Sequence, residues 1–225
     1  MDYFASLIKL GISAVPDWGS PAAELFAMIT APLLGKRRDE WFEGIRLHLN
    51  ELTRKVDRLT IESLARNEEF VSTLVQATQS AAKTHQQKKI EALRNAVLNV
   101  ASRKAPVFEK QAIFLQCVEK FQPLHLELLS FMEDPKKLGA KWVKHQMGST
   151  SVYEVIYTVF PSLVGQFQLI NLAIMDLHAA GFIAAHINGA MTPVPGFDKW
   201  VTFQGEEFLK FIREPEFVEP AKETS

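Results

Sequence analysis

Residues 163–183, LVGQFQLINLAIMDLHAAGFI, contain the pattern on which the predicted fold depends. Apolar side chains recur in it at helical spacing, which predicts a helix from about residue 163 to residue 180. The predicted core face consists of Leu163, Phe167, Ile170, Ile174 and Leu177. Gly181 stands where a left-handed residue commonly ends a helix, so the chain should leave the helix there.

Shorter elements surround this helix. A helix over 123–133 comes first, and a second, short helix should begin near Ser151, because Ser151 and Glu154 have capping-box spacing. Pro161 should end that short helix. Two β stretches, FIAAHIN and KWVTF, then flank the turn-rich segment GAMTPVPGFD, and TFQGEEFLKFI closes the pattern as an amphipathic helix.

This order of elements resembles the winged-helix fold. The resemblance is carried by the exit from the long helix, Leu177…Gly181-Phe182-Ile183, and by the start of the closing helix, Thr202…Gly205…Phe208-Leu209. It covers residues 123–213. It implies a winged-helix (α+β) C-terminal domain with a short β-hairpin. The composition of residues 214–225, EPEFVEPAKETS, separately predicts a disordered acidic tail.

The preceding region, residues 39–122, has the pattern of a helical bundle. An apolar seam predicts a helix from about Arg38 to Leu59, and its members are Phe42, Ile45, Leu49, Leu52, Val56 and Leu59. The seam is shorter than three heptads, which favours packing within the chain over a coiled-coil dimer. Further helices are predicted over 67–101 and 107–121. The apolar stripe of the first of these slips at residues 84–89, so either the helix breaks there or its halves face different neighbours. The predicted fold class is mainly α.

The first 38 residues predict an apolar helical hairpin, because the turn sequence PDWGS separates two apolar segments. Two interpretations are open. The hairpin is either buried against the chain's own helices or exposed as a contact for a partner or a membrane. The candidate contact residues are Leu25, Phe26, Ile29, Lys36, Arg37 and Arg38. The three cations suit anionic headgroups, but they also suit a helix C-terminus, where positive charge offsets the dipole.

A second resemblance rests on LVQATQSAAKTHQQKKIEALRNAVLN, residues 74–99, followed by FQPLHLELLSFM, residues 121–132. These segments resemble bacterial proteins that place a helical domain before a winged helix, such as the Abi-alpha abortive-infection family. The resemblance implies a phage-defence or regulatory context. It transfers no catalytic residues, and the N-terminal hairpin has no match in it.

Charge argues against DNA binding through the long helix. No lysine or arginine occurs between Lys144 and Lys199, whereas phosphate neutralisation supplies most non-specific affinity for DNA. The side chains that we expect on the exposed face of this helix are Gln166, Gln168, Asn171, Asp176 and His178. A better basic surface would be the helical region, with Lys83, Lys88, Lys89, Arg94, Arg103 and Lys104, unless these simply form a solvated helix face.

No sequence motif points to catalysis. The six histidines lack metal-ligand spacing, the phosphate-binding and nucleophile-elbow motifs are missing, and we expect no cofactor and no enzyme activity. The single cysteine, Cys117, excludes an internal disulfide and is expected to be a small buried hydrophobe. Without a signal peptide or a spanning apolar run, we expect a cytoplasmic protein.

The leading hypothesis is a non-enzymatic interaction protein that binds a protein partner, or itself, through a winged helix. A first alternative is a membrane-associating defence effector that acts through residues 1–38 and contacts the inner membrane peripherally. A second alternative is a DNA-binding transcriptional regulator.

Overall fold

A computed structural model describes residues 21–56, 59–135, 152–184 and 200–215, with the side chains of all of these except residues 21–34 and residue 152. Within these ranges the chain is mainly helical, as the sequence predicts. The chain divides into two compact units. The first unit contains residues 1–119 and 211–225, and the second contains residues 120–210.

Helix α1, Pro21–Lys55, opens the described part of the first unit. The sequence predicts a separate hairpin up to residue 38, but the predicted second arm and the amphipathic helix that follows form one continuous helix. Gly35 does not end it, since a glycine inside a helix costs only about 1 kcal/mol relative to alanine. The predicted first arm and turn, residues 1–20, lie outside the described residues.

The buried face of α1 contains Trp41, Ile45, Leu49 and Leu52. The predicted seam is therefore correct at Ile45, Leu49 and Leu52, and Trp41 replaces Phe42 as the first core residue. The last two predicted positions, Val56 and Leu59, follow the end of the helix and are only half-buried. The Nε1–H of Trp41 donates to Thr78 Oγ1 at 2.9 Å. The seam packs within the chain.

Four further helices complete the bundle: α2 Ile61–Ala65, α3 Glu68–Ala82, α4 Gln87–Ala101 and α5 Phe108–Lys120. Asn67 caps α3 by accepting the backbone N–H of Phe70 at 3.1 Å. The slip in the predicted helix over 67–101 is a real break, because α3 ends at Ala82 and α4 begins at Gln87.

The second unit contains α6 Pro123–Glu133, α7 Val152–Val159, a 3-10 turn Pro161–Leu163, α8 Phe167–Ala179 and most of α9 Phe203–Ile212. Helix α8 packs against α6. The sequence predicts that α8 begins near residue 163, but the 3-10 turn and Gly165, with φ +80°, delay its start to Phe167.

The predicted β stretches are described only at residues 182–184 and 200–203. There the chain makes one isolated antiparallel bridge, between Ile183 and Val201, and these residues contain no strand. Aromatic rings of Phe121, Phe182 and Phe208 form the core beside the bridge, with Phe182 stacked on Phe208 at 4.5 Å. Most of the predicted hairpin, the start of α7 at Ser151, and the tail beyond residue 215 lie outside the described residues.

Candidate interaction face on helix α8

One hydroxyl group joins the end of α8 to the start of α9. Gly181 has φ +74°, and its N–H donates to the carbonyl oxygen of His178 at 2.8 Å. Thr202 Oγ1 donates to the carbonyl oxygen of Gly181 at 2.6 Å and accepts the N–H of Gly205 at 3.1 Å, which caps α9. These contacts fix the C-terminal end of α8.

Gly205 lies against the backbone of the bridge. A Cβ atom built there would lie 2.3 Å from the carbonyl oxygen of Phe182 and 2.6 Å from Cγ1 of Val201. Only a glycine leaves room for this approach. The two glycines that mark the sequence pattern, at 181 and 205, are thus required for different reasons, a left-handed turn and a close contact.

The inner side of α8 is apolar. Ile170, Ile174 and Leu177 are buried, as the sequence predicts. The sequence predicts Phe167 in the same core, but its side chain is half-exposed because it is the first residue of the helix. Its ring lies 4.6 Å from the ring of Tyr153 instead.

A charged group borders α8 at Asp176. Its carboxylate binds Lys120 Nζ through Oδ1 at 3.0 Å and His125 Nε2 through Oδ2 at 3.3 Å. The hydrogen bond from Lys120, and then that from His125, hold the pKa of Asp176 below its usual value against the opposing effect of burial. The buried His125 ring also stacks on Phe121 at 4.9 Å.

The His125–Asp176 pair superficially has the form of an acid–base pair. However, His125 Nδ1 accepts the backbone N–H of Gln122 at 3.1 Å, so the lone pair that a general base would use is already bound. Nε2 must then carry the proton and donate to Asp176. The pair is a structural connection that holds the first turn of α6 against α8.

The outer side of α8 carries exposed apolar side chains. Leu169, Leu172 and Met175 are 45%, 57% and 55% exposed, and they follow one another at a spacing of three residues. Gln168 and Ala179 are exposed on the same side. We call these five residues the α8 face. Large apolar side chains clustered on a surface commonly mark an interaction site.

The five polar residues predicted on this helix have different environments. Gln166, Gln168 and His178 are exposed. Asn171 is half-buried, because it accepts the hydroxyl of Tyr153 at 3.3 Å and donates to Met175 Sδ at 3.6 Å. Asp176 is half-buried by its ion pair, so neither Asn171 nor Asp176 is the free surface group that we expected.

Sequence reasoning missed Leu169, Leu172 and Met175. A signal was present, since apolar residues in this helix exceed the single stripe that its core requires. A helix that is apolar on two sides must bury the second side elsewhere or present it to a partner.

The predicted N-terminal contact residues are only partly described. Leu25, Phe26 and Ile29 belong to α1, but their side chains lie outside the described residues. The cluster of Lys36, Arg37 and Arg38 lies in the interior of α1, so the interpretation as dipole-offsetting charges at a helix end is wrong. Lys36 pairs with Glu40 at 3.7 Å, and Arg38 pairs with the adjacent Asp39 at 2.9 Å.

The six lysines and arginines named above for the helical region do not all lie on an open basic surface. Lys89 is buried and donates to the backbone oxygen of Glu119 at 2.7 Å, and burial lowers its pKa. Lys83 pairs with the carboxylate of Glu119 at 2.7 Å. The Nε of Arg94 is buried. Three of the six cations are therefore engaged or partly covered within their own unit.

Among the described residues, no three histidine, cysteine, aspartate or glutamate side chains are grouped as metal ligands would be. None of the helices in this part of the chain combines the length and the apolarity of a bilayer span. Comparison of the chain with protein-family models, with curated proteins and with solved structures found no match.

Proposed function

We propose that the chain is a non-enzymatic interaction protein whose second unit binds protein through the α8 face. The observation that carries this proposal is the exposure of Leu169, Leu172 and Met175 on one side of a helix whose other side is fully packed. Interface cores are depleted in charge and enriched in methionine relative to the rest of the surface. The α8 face has this composition.

We further propose that the second unit is a winged-helix-like module. Support comes from the order of its elements: three helices, an antiparallel bridge and a closing helix. The Thr202 hydroxyl, which holds the chain where it leaves α8 and where it enters α9, gives this order a defined geometry. The segment that would form the wing, residues 185–199, lies outside the described residues.

Electrostatics favours protein over DNA as the partner. Residues 145–198 contain no lysine or arginine, and the one charged group of α8, Asp176, is an anion. A helix in the major groove needs cations nearby to bind phosphates, and glutamine or asparagine side chains do not replace them. An uncharged apolar face instead suits a protein surface.

The proposed cellular setting is the cytoplasm of a bacterium, in phage defence or regulation. The order of a helical region before a winged-helix-like module, as in the Abi-alpha family, supports this setting. Peripheral membrane contact through residues 1–38 is a second candidate, favoured by the continuity of α1. The apolar segment 21–34 belongs to the same continuous helix as the residues that pack in the bundle.

Variants of the full chain test the proposal. Leu172→Glu should abolish capture of a partner from cells, and the captured protein, once purified, should bind the unchanged chain and not the variant in calorimetry. Equal binding to both would refute the role of the α8 face. Binding to duplex DNA that weakens steeply with salt would support the regulator instead.

Vesicle flotation tests the membrane candidate. If residues 1–38 contact a membrane, the unchanged chain should float with vesicles containing anionic lipid, and Leu25→Asp with Phe26→Asp should not. Equal flotation of the two proteins, or flotation of neither, would remove this candidate.

A further inference from the structure

We infer that the α8 face binds a second copy of this chain, an inference that rests on the proposed function. In this dimer, two α8 helices cross in antiparallel orientation about a two-fold axis at Leu172. A two-fold interface uses the same surface on both copies, so the surface must be complementary to itself.

The three large apolar side chains of the α8 face meet this requirement. A two-fold axis at Leu172 places each residue opposite the one equally far on the other side of position 172 in the second copy. Leu172 then meets its own equivalent, and Leu169 meets Met175 of the second copy. Gln168 lies opposite Asp176.

Each of these pairs is chemically compatible. The two central pairs are apolar, and the remaining pair offers an amide donor to a carboxylate. Asp176 does not face its own equivalent, so like charges are kept apart. Asp176 is also compensated within its own copy by Lys120 and His125.

A second copy fits better than a charged partner. The α8 face contains no charged side chain, and the neighbouring carboxylate of Asp176 is already paired with Lys120. The exposed area of the α8 face is on the order of 400 Å² per copy, about half that of a standard interface. The dimer should therefore be weak and form reversibly.

Sedimentation velocity of the full chain over a range of micromolar concentrations measures the self-association. The unchanged chain should shift from monomer to dimer, and Leu172→Glu should remain monomeric throughout. Ile113→Glu is the matched control, because Ile113 is also aliphatic and 51% exposed but lies on α5. This control should dimerise normally. An unchanged chain that is monomeric throughout the range would overturn the inference.

Cysteine pairing tests the geometry. With Cys117 replaced by serine and a mild oxidant added, Leu172→Cys should cross-link to its own equivalent. Met175→Cys alone should not, because the two copies of position 175 would be separated by about 9 Å along the helix axis at 1.5 Å per residue. A disulfide needs Cα atoms within about 7 Å. A mixture of Leu169→Cys and Met175→Cys should cross-link.

Self-cross-linking of Met175→Cys would indicate a parallel pair and overturn the antiparallel arrangement. Failure of this inference is distinguishable from failure of the proposed function. A monomeric chain that still binds a different protein, and loses it through Leu172→Glu, would overturn only the second copy as the occupant.

Discussion

The side-chain amide of Asn99 donates to the carbonyl oxygen of Phe211 at 2.9 Å, although 112 residues separate the two in the sequence. The same nitrogen lies 2.8 Å from the carbonyl oxygen of Arg213. One turn earlier, Asn95 donates to the carbonyl oxygen of Ile212 at 3.0 Å. Two asparagines of α4 thus satisfy three successive carbonyls at the end of α9, where a helix leaves such groups without intrahelical partners.

Replacing Asn99 should destabilise the first unit. Asn99→Ala leaves buried carbonyls without a donor, which should lower the free energy of unfolding by about 1–3 kcal/mol. Asn99→Asp has the same shape but places a carboxylate against those oxygens, so it should cost more than alanine. Urea unfolding of both variants measures the difference, and an aspartate variant as stable as the unchanged chain would contradict this role.

Two glycine substitutions should have opposite signs. Gly205→Ala places a Cβ 2.3 Å from the carbonyl oxygen of Phe182 and should lower the free energy of unfolding, despite the higher helix propensity of alanine. Gly35→Ala, in α1, meets nothing within 4 Å and should raise stability by up to about 1 kcal/mol. Thermal and urea unfolding report both, and a stabilising Gly205→Ala would show that the bridge is not held against α9.

The spacing of apolar residues predicted those helices in which one side is buried and the other faces solvent. Ile45, Leu49 and Leu52 are buried because a helix presents one side to its neighbour, and spacing alone reveals that side. Asn99 gave no such signal. An asparagine within a helix is usually solvated, and its role here depends on carbonyls that are distant in sequence and meet it only in the folded unit.

The candidate interaction face could likewise be predicted only in part from the sequence. The sequence predicts α8 and its buried stripe, yet it does not reveal that Leu172 stays exposed. A helix with two apolar sides offers two ways to pack, and contact with α6 selects one of them. The pairing of Asp176 with His125, 51 residues away, likewise follows from this packing and not from any local pattern.

The histidine in that pair should occupy one tautomer. Because the Gln122 N–H can only donate, His125 Nδ1 must be unprotonated and Nε2 must carry the proton. Long-range ¹H–¹⁵N correlation spectra at neutral pH should show the Nε2–H form of this ring. A dominant Nδ1–H signal would mean that the first turn of α6 is not closed in this way.

The carboxylate of Asp176 should make stability depend on pH in a defined direction. Its pKa in the folded chain is lowered, chiefly by Lys120, so its contribution is present above the unfolded value of about 4 and is lost as the pH falls through the folded value. Asp176→Asn should therefore lower the free energy of unfolding by on the order of 1 kcal/mol at neutral pH, and by much less in strong acid. Urea unfolding of both proteins across the acidic range measures this difference.

Lys120→Met provides the control for that series. Because Lys120 is the largest cause of the lowered pKa, the difference between aspartate and asparagine at position 176 should shrink when the lysine is absent. The smaller contribution of His125 should remain, since its hydrogen bond to Oδ2 does not involve the lysine. If the difference instead stays constant from neutral pH to strong acid, the ionised carboxylate does not stabilise the contact between α6 and α8.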